Sequence, residues 1–236
     1  MARIVEVSGN IFNTTAQVIV NTVNCEGVMG RGIALEFKNR FPDMFEKYKE
    51  FCDQKLMKPG VLQLYKKSTP WILNFPTKNY WKFPSKIEYL EKGLRKFAET
   101  YQQKEIISVA FPKLGTESGG LDWADVKEIM YRYLDNLQGL DVEIYHYDPK
   151  ATDNLFNRFT EITARFKSKD FVELMGLRSV EAKKLESALQ NNSLRTMMDL
   201  QNIRGFGDSS IEKVYIFLER NDRRIVTDSE KNPELF

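Results

Sequence analysis

Val18-Ile19-Val20-Asn21-Thr22-Val23-Asn24, with Gly27-Val28-Met29-Gly30-Arg31-Gly32-Ile33-Ala34 close behind it, is the stretch that decides the fold. The apolar, β-branched run reads as a buried strand. Two asparagines close it, and a glycine-spaced turn then opens a helix expected over Ile33–Arg40. Glycines let the backbone press against a ligand, and a helix start offers unpaired N–H groups to an anion. Gly30, Gly32 and Ile33 are therefore candidates to hold a diphosphate. Arg31 reads either as a phosphate partner or as a solvated loop cation. Asn24 is placed to bond a ribose hydroxyl, whereas Asn21 reads more readily as a loop brace.

A second loop has the same build. Pro112-Lys113-Leu114-Gly115-Thr116-Glu117-Ser118-Gly119-Gly120-Leu121-Asp122-Trp123 follows an expected strand and precedes an expected helix. Gly115, Thr116, Glu117, Ser118, Gly119 and Gly120 would close on the ligand from the other side. Two such cradles in one domain point to a clamped, dinucleotide-like ligand. Strands are expected at Ile4–Val7, Val18–Val23, Val61–Tyr65, Trp71–Phe75, Ile106–Phe111 and Val142–Tyr147. Helices are expected at Ile33–Arg40, Met44–Gln54, Pro84–Gln102 and Trp123–Leu137. In the third of these Ile87, Leu90, Leu94 and Phe97 recur near a 3.6 period, so one stripe faces a sheet. The alternation implies an α/β fold, a mixed central sheet flanked by helices, with ligands bound where loops leave the strand ends.

The 236 residues leave room for two domains. A hydrophobic content of 42% and a charged content of 29% are those of an ordinary globular protein. A formal net charge of +2 argues for no partner by itself. No apolar run approaches the ~18 residues of a membrane span, and Met1-Ala2-Arg3-Ile4 opens directly into a strand rather than a signal peptide. The expected setting is cytoplasmic, with no membrane partner. Cys25 and Cys52 have neither metal spacing nor a disulfide framework. Cys25, beside Asn24, reads as a small buried residue or as part of the ligand loop. With His146 the single histidine, neither a zinc site nor a Ser-His-Asp triad can be built. No metal and no cofactor are expected.

After Asp148-Pro149-Lys150 the strands stop. The expected division is a domain over 1–150, a small all-α domain over 151–221 and a loose polar tail over 222–236. Helix-period segments run at Leu155–Phe166 and Val180–Leu189. Within the helical part, Met175-Gly176-Leu177 to Ala182, Lys184 and Leu185 repeats as Arg204-Gly205-Phe206 to Ile211, Lys213 and Val214. The repeat resembles a tandem helix-hairpin-helix, whose glycine turns offer N–H groups to DNA phosphates. Gly207 supplies the second hairpin glycine in the later copy; Arg178 stands in that place in the earlier one. The same glycines also suit helix C-caps in a plain bundle, or a protein-docking surface.

Gly9-Asn10-Ile11, Val20 to Asn24, Gly30 to Ala34 and Phe111 to Gly115 together resemble a macrodomain, the fold that binds ADP-ribose. Asn74-Phe75-Pro76-Thr77-Lys78-Asn79-Tyr80-Trp81 and Gly119 to Trp123 look like its DarG branch, DNA ADP-ribosyl glycohydrolases that act as antitoxins to DarT-type toxins. They are also similar to the terminal ADP-ribose protein glycohydrolase of animals. The resemblance covers roughly residues 1–150. It implies removal of ADP-ribose from a DNA base, single-stranded DNA as carrier and a DarT-type toxin as partner. Two other readings stand beside it: a reader that binds ADP-ribose without cutting it, and a glycohydrolase acting on modified protein.

The resemblance also implies roles. Asn10 stands where most macrodomains carry an aspartate for the adenine amino group, although it equally suits an Asx turn. Ile11 would offer its backbone N–H to the ring. Lys78 matches the catalytic lysine. Attack at C1″ of the distal ribose needs an unprotonated amine, which burial by Tyr80 and Trp81 would favour. Lys82 is the nearest rival. Asp122 matches the partner aspartate that works as acid or base, and it also sits where a helix N-cap belongs.

Overall fold

In a computed structural model the described residues are 1–221 and 234–235. They fall into two compact units, the first built on residues 1–148 and the second beginning at Pro149.

The first unit carries β1 (Arg3–Gly9), β2 (Val18–Val23), β3 (Gln63–Tyr65), β4 (Trp71–Pro76), β5 (Ser108–Pro112), β6 (Asp141–Tyr147) and β7 (Glu234–Leu235). These form one sheet in the order β1-β6-β5-β2-β4-β3-β7. The first five strands in that order run parallel, and β3 and β7 are added antiparallel. Between them lie α1 (Gly32–Arg40), α2 (Pro42–Asp53), α3 (Ile87–Thr100) and α4 (Trp123–Leu134). The sheet is thus mixed and helix-flanked, as the alternation of elements required.

The pleat of β2 divides the core. Val18 and Val20 pack with Leu90, Leu94 and Phe97 of α3 and Val126 and Met130 of α4. Ile19 and Val23 pack with Phe37 of α1 and Met44 and Tyr48 of α2. Successive side chains on a strand point to opposite faces, so an unbroken apolar run is what a strand covered on both sides needs. Parallel strands also place their carboxyl ends together. The loops after β5, β2 and β4, three neighbours in the sheet, leave from one edge.

A row of buried amides crosses the sheet on the α2 face. Asn21 pairs in register with Asn74, and Asn74 with Gln63. Asn21 Nδ2 donates to Asn74 Oδ1 at 2.8 Å, and Asn74 Nδ2 donates to Gln63 Oε1 at 2.7 Å. All three residues are fully buried. At the ends of the row, Asn21 Oδ1 and Gln63 Nε2 find no partner among the described residues.

The second unit is helical: α5 (Asn154–Thr163), α6 (Ser168–Met175), α7 (Ser179–Gln190), a 3-10 turn (Met197–Asn202) and α8 (Asp208–Asn221). Gly176 ends α6 in the left-handed conformation, φ 69°. The repeat read from the sequence is structural. Its equivalent positions Leu177 and Phe206, Ala182 and Ile211, Leu185 and Val214 all lie in one core. The paired lysines cross over. Lys184 Nζ donates to Arg204 O at 2.6 Å, and Lys213 Nζ donates to Gly176 O at 2.7 Å. Each repeat therefore anchors the hairpin of the other. Glu181 bonds the Arg178 backbone N–H at 2.9 Å and the Ser210 hydroxyl at 2.8 Å, and these bonds with the Arg178 guanidinium hold its carboxyl down at about 2.

The expected loose tail falls on residues 222–233 and 236, outside the described residues. Leu235, at its far end, packs instead on the first unit's core through β7. Among the described residues no helix is long and apolar enough to cross a membrane, and no cluster of side chains could hold a metal ion.

Candidate active site

Three loops converge at the shared strand edge, and each is fixed from within. The first, 24–31, is built around Asn24. Its Nδ2 donates to Val28 O at 2.6 Å, while its Oδ1 accepts from Glu26 N at 2.8 Å. The hydroxyl of Tyr48 donates to Asn24 O at 2.8 Å from beneath. Asn24 is buried, with its amide engaged at both ends. These short local bonds give it a bracing role within the loop. Asn21, at the end of the amide row, also lies inside the core. Asn10 makes the Asx turn: its Oδ1 accepts from Phe12 N at 3.0 Å and caps a 3-10 turn over Ile11–Asn13. Ile11 beside it is buried.

The loop ends at an uncovered helix start. Arg31 occupies the N-cap of α1 without a side-chain cap bond. Gly30, Arg31 and Gly32 are exposed and Ile33 is half-buried. Gly32 has φ +59° and open space around it. A first turn with no side-chain cap among the described residues, beside an arginine, offers N–H groups to an anion.

The second loop folds on itself. Leu121 N donates to Gly115 O at 3.1 Å and Gly120 N donates to Thr116 O at 3.2 Å. Glu117, Ser118 and Gly120 face solvent, whereas Gly115 and Gly119 are buried. Gly119 admits no side chain. A Cβ there would lie 2.2 Å from Gly115 O and 2.3 Å from Ser85 Oγ. Ser85 N in turn donates to Gly119 O at 2.9 Å, and Ser85 Oγ is buried with no partner among the described residues.

The third loop, 77–86, joins the other two. Thr77 N donates to Val23 O at 3.0 Å and Cys25 N donates to Asn79 O at 3.1 Å, so its base is sewn to the first loop. Lys78 then reaches across: its Nζ donates to Ser118 O, on the second loop, at 2.6 Å. Burial, and then repulsion from Arg31, hold the Lys78 amine below its ordinary value. Tyr80 and Trp81 do not supply that burial by folding inward, since both are about half exposed. Lys82 lies over the Trp81 ring at 5.3 Å. Lys78, not Lys82, makes the contact that closes the loops.

Asp122 caps α4, its Oδ1 accepting from Ala124 N at 2.7 Å. Among the described residues no hydrogen bond joins it to Lys78. Cys25 donates from Sγ to Lys78 O at 3.4 Å, and burial pushes its thiol up to about 12. An un-ionised thiol is a poor nucleophile, and Cys25 is half-buried beneath the loop. His146 sits apart, bonded to Glu6 at 2.7 Å. Sequence reading missed Ser85, Tyr48 and Glu26, the residues that hold the loops from behind. Ser85 alone left a trace, as a small residue just after Pro84 at the expected helix start. Two cavities, of about 530 Å³ beside Lys92 and Arg95 and about 580 Å³ beside Lys183 and Arg204, share no residue with these loops.

Parallel strand ends carrying a bare helix start, a glycine loop and a lysine that reaches this loop are the features of an α/β fold with a candidate anion-binding edge. The macro domain family matches residues 20–130. The chain is 38% identical over 151 residues to a DNA ADP-ribosyl glycohydrolase of Thermus aquaticus, a match covering 61% of this chain and 42% of that protein. The macrodomain of Mycobacterium tuberculosis DarG superposes with a TM-score of 0.59 at 38% identity, covering 61% of this chain and 98% of that one. Thermosipho africanus DarTG in complex with ADP-ribose superposes with a TM-score of 0.59 at 34% identity, over 63% of this chain and 42% of that one. The chain belongs to the macrodomain family, in its DarG branch. The matched region spans about two fifths of the full-length relatives.

Gly119→Ala tests the second loop. The methyl group would force Gly115 and Ser85 apart, an overpacking cost of ~1–3 kcal/mol. A lowered melting temperature and weakened ADP-ribose binding in calorimetry are expected. An unchanged melting temperature would show that the loop yields without cost.

Proposed function

We propose that this chain is an ADP-ribosyl glycohydrolase that removes ADP-ribose from modified DNA bases and so counteracts a DNA ADP-ribosyltransferase toxin of the DarT type. The observation that carries the reading is Lys78: an amine held below its ordinary pKa, reaching from one strand end to the loop opposite. Gly30, Gly32 and Ile33 hold the diphosphate with Arg31 as counter-charge, Gly115 to Gly120 close over it, and Asn10 and Ile11 mark the adenine end. The neutral Lys78 amine attacks C1″ of the distal ribose. The bond from C1″ to the base nitrogen breaks, its electron pair staying on that nitrogen, which takes up a proton. Water then adds at C1″, displaces the lysine nitrogen and releases ADP-ribose. Asp122, exposed at the loop mouth, is the proton carrier in this scheme.

A second reading has one observation in its favour. The Lys78 to Ser118 bond also suits a staple between two loops of a non-catalytic reader. Incubation with ADP-ribosylated single-stranded DNA and, separately, with ADP-ribosylated protein separates the cases. Return of the unmodified oligonucleotide with free ADP-ribose supports the proposal. Release from protein alone moves the substrate class. No release from either, with ADP-ribose binding retained, leaves a reader.

A further inference from the structure

Exposed large apolar side chains are scattered over the described surface, except in one place. Tyr80, Trp81 and Phe83 are 50%, 49% and 61% exposed within four consecutive positions of the third loop. Tyr80 and Phe83 meet edge to face, centroids 5.8 Å apart at 83°. Aromatic rings left in water at this density mark a binding surface rather than a packing accident. The charge along this segment has one sign. Between Thr77 and Lys86 the chain carries Lys78, Lys82 and Lys86 and no carboxylate.

The rings are held in place. Trp81 N donates to Glu26 Oε2 at 2.8 Å, on the first loop. Phe83 N donates to Tyr80 O at 3.2 Å, and two residues on, Ser85 N is bonded to Gly119 of the second loop. Their backbone is thus tied to both cradles, and Trp81 lies three residues beyond Lys78. An aromatic platform pre-ordered in this way binds without first paying for loop ordering.

We propose that Tyr80, Trp81 and Phe83 form a stacking platform for the unpaired bases that flank the modified nucleotide in single-stranded DNA, with Lys82 and Lys86 meeting the phosphates. Alternating rings and lysines are the chemistry that unpaired strands need: π-faces for the bases and cations along the backbone. A duplex keeps its base faces stacked on one another and cannot use such a platform. The inference deepens the glycohydrolase reading by naming what the site does with the rest of its substrate, and in that respect rests on it.

Fluorescence anisotropy with a labelled, unmodified single-stranded oligonucleotide and the full chain tests it. Trp81→Ala is expected to weaken binding about 5- to 150-fold, the range of one lost base stack. Trp81→Phe should restore most of it. The rings are not part of the diphosphate cradles, so free ADP-ribose measured by calorimetry is the reference ligand, and its affinity should stay within roughly twofold. Equal oligonucleotide affinity for wild type, Trp81→Ala and Phe83→Ala would overturn the platform, whether or not the chain cleaves modified DNA. Tighter binding of the matching duplex or RNA would overturn it too. Strand binding that depends on Trp81, in a chain that cleaves nothing, would uphold the platform and remove the glycohydrolase reading alone.

Discussion

Lys78→Ala is expected to lower release of ADP-ribose from modified DNA by at least ~10³-fold while free ADP-ribose still binds within a few-fold of wild type. In the proposed site, binding draws on backbone N–H groups of two loops and on Arg31, and bond cleavage draws on one amine. A group used in the transition state and little in the ground state costs turnover when it is removed, not affinity. The pH profile gives a second readout. In the proposed mechanism the reactive form is the neutral amine, so kcat is expected to rise with pH and level off above the Lys78 pKa, which burial and Arg31 hold below its ordinary value. Arg31→Gln removes one repulsion and lets the pKa climb. The rising limb then moves to higher pH, measured at saturating substrate. A limb that stays in place would show that Lys78 does not titrate in the rate-limiting step. Full turnover in Lys78→Ala would end the lysine mechanism and leave Asp122 as the remaining candidate.

Gly32→Glu is expected to abolish ADP-ribose binding, at least ~100-fold in calorimetry, in a protein that remains folded. The position has φ +59°, which costs a side chain roughly 1–2 kcal/mol, but no atom lies within 4 Å of the new Cβ. The added carboxylate sits at the start of α1, where it takes the place a phosphate would occupy and completes the charge of the helix end. Binding is therefore blocked twice, by volume and by charge. Circular dichroism should show the wild-type helix content. Unchanged affinity would move the diphosphate away from this helix.

How far the sequence could be read depended on the distance over which each signal acts. The β2 strand and the start of α1 were legible because β-branched residues, asparagines and glycines follow one another within sixteen positions. The cap role of Asp122 was legible as one of two readings, since an aspartate before Trp123-Ala124 needs only its neighbours to act. The repeat around Gly176 and Gly205 was visible as spacing, but the crossing of Lys184 and Lys213 was not, because it depends on how the copies face each other. Asn24 was legible only in part. An asparagine beside a ligand loop suits a ribose and suits the loop itself, and its bonds with Val28 and Tyr48 exist only once the chain is folded. Asn74 and Gln63 gave no warning at all, since their partnership with Asn21 exists only once β2, β4 and β3 lie side by side.

That row of amides also acts as a proofreader for the sheet. Shape alone discriminates weakly between neighbouring alignments of strands as uniformly apolar as β2 and β4. A slip of β4 by one residue turns Asn74 to the other face, among the leucines and phenylalanines packed under α3 and α4. Three amides would then lose one another in a setting where each stranded donor or acceptor costs ~1–3 kcal/mol. The misaligned sheet is penalised at its centre, and the alignment that escapes the penalty brings the carboxyl ends of β2 and β4 level. The distance from the bare helix start to Lys78 is set there, well below the surface on which both are displayed.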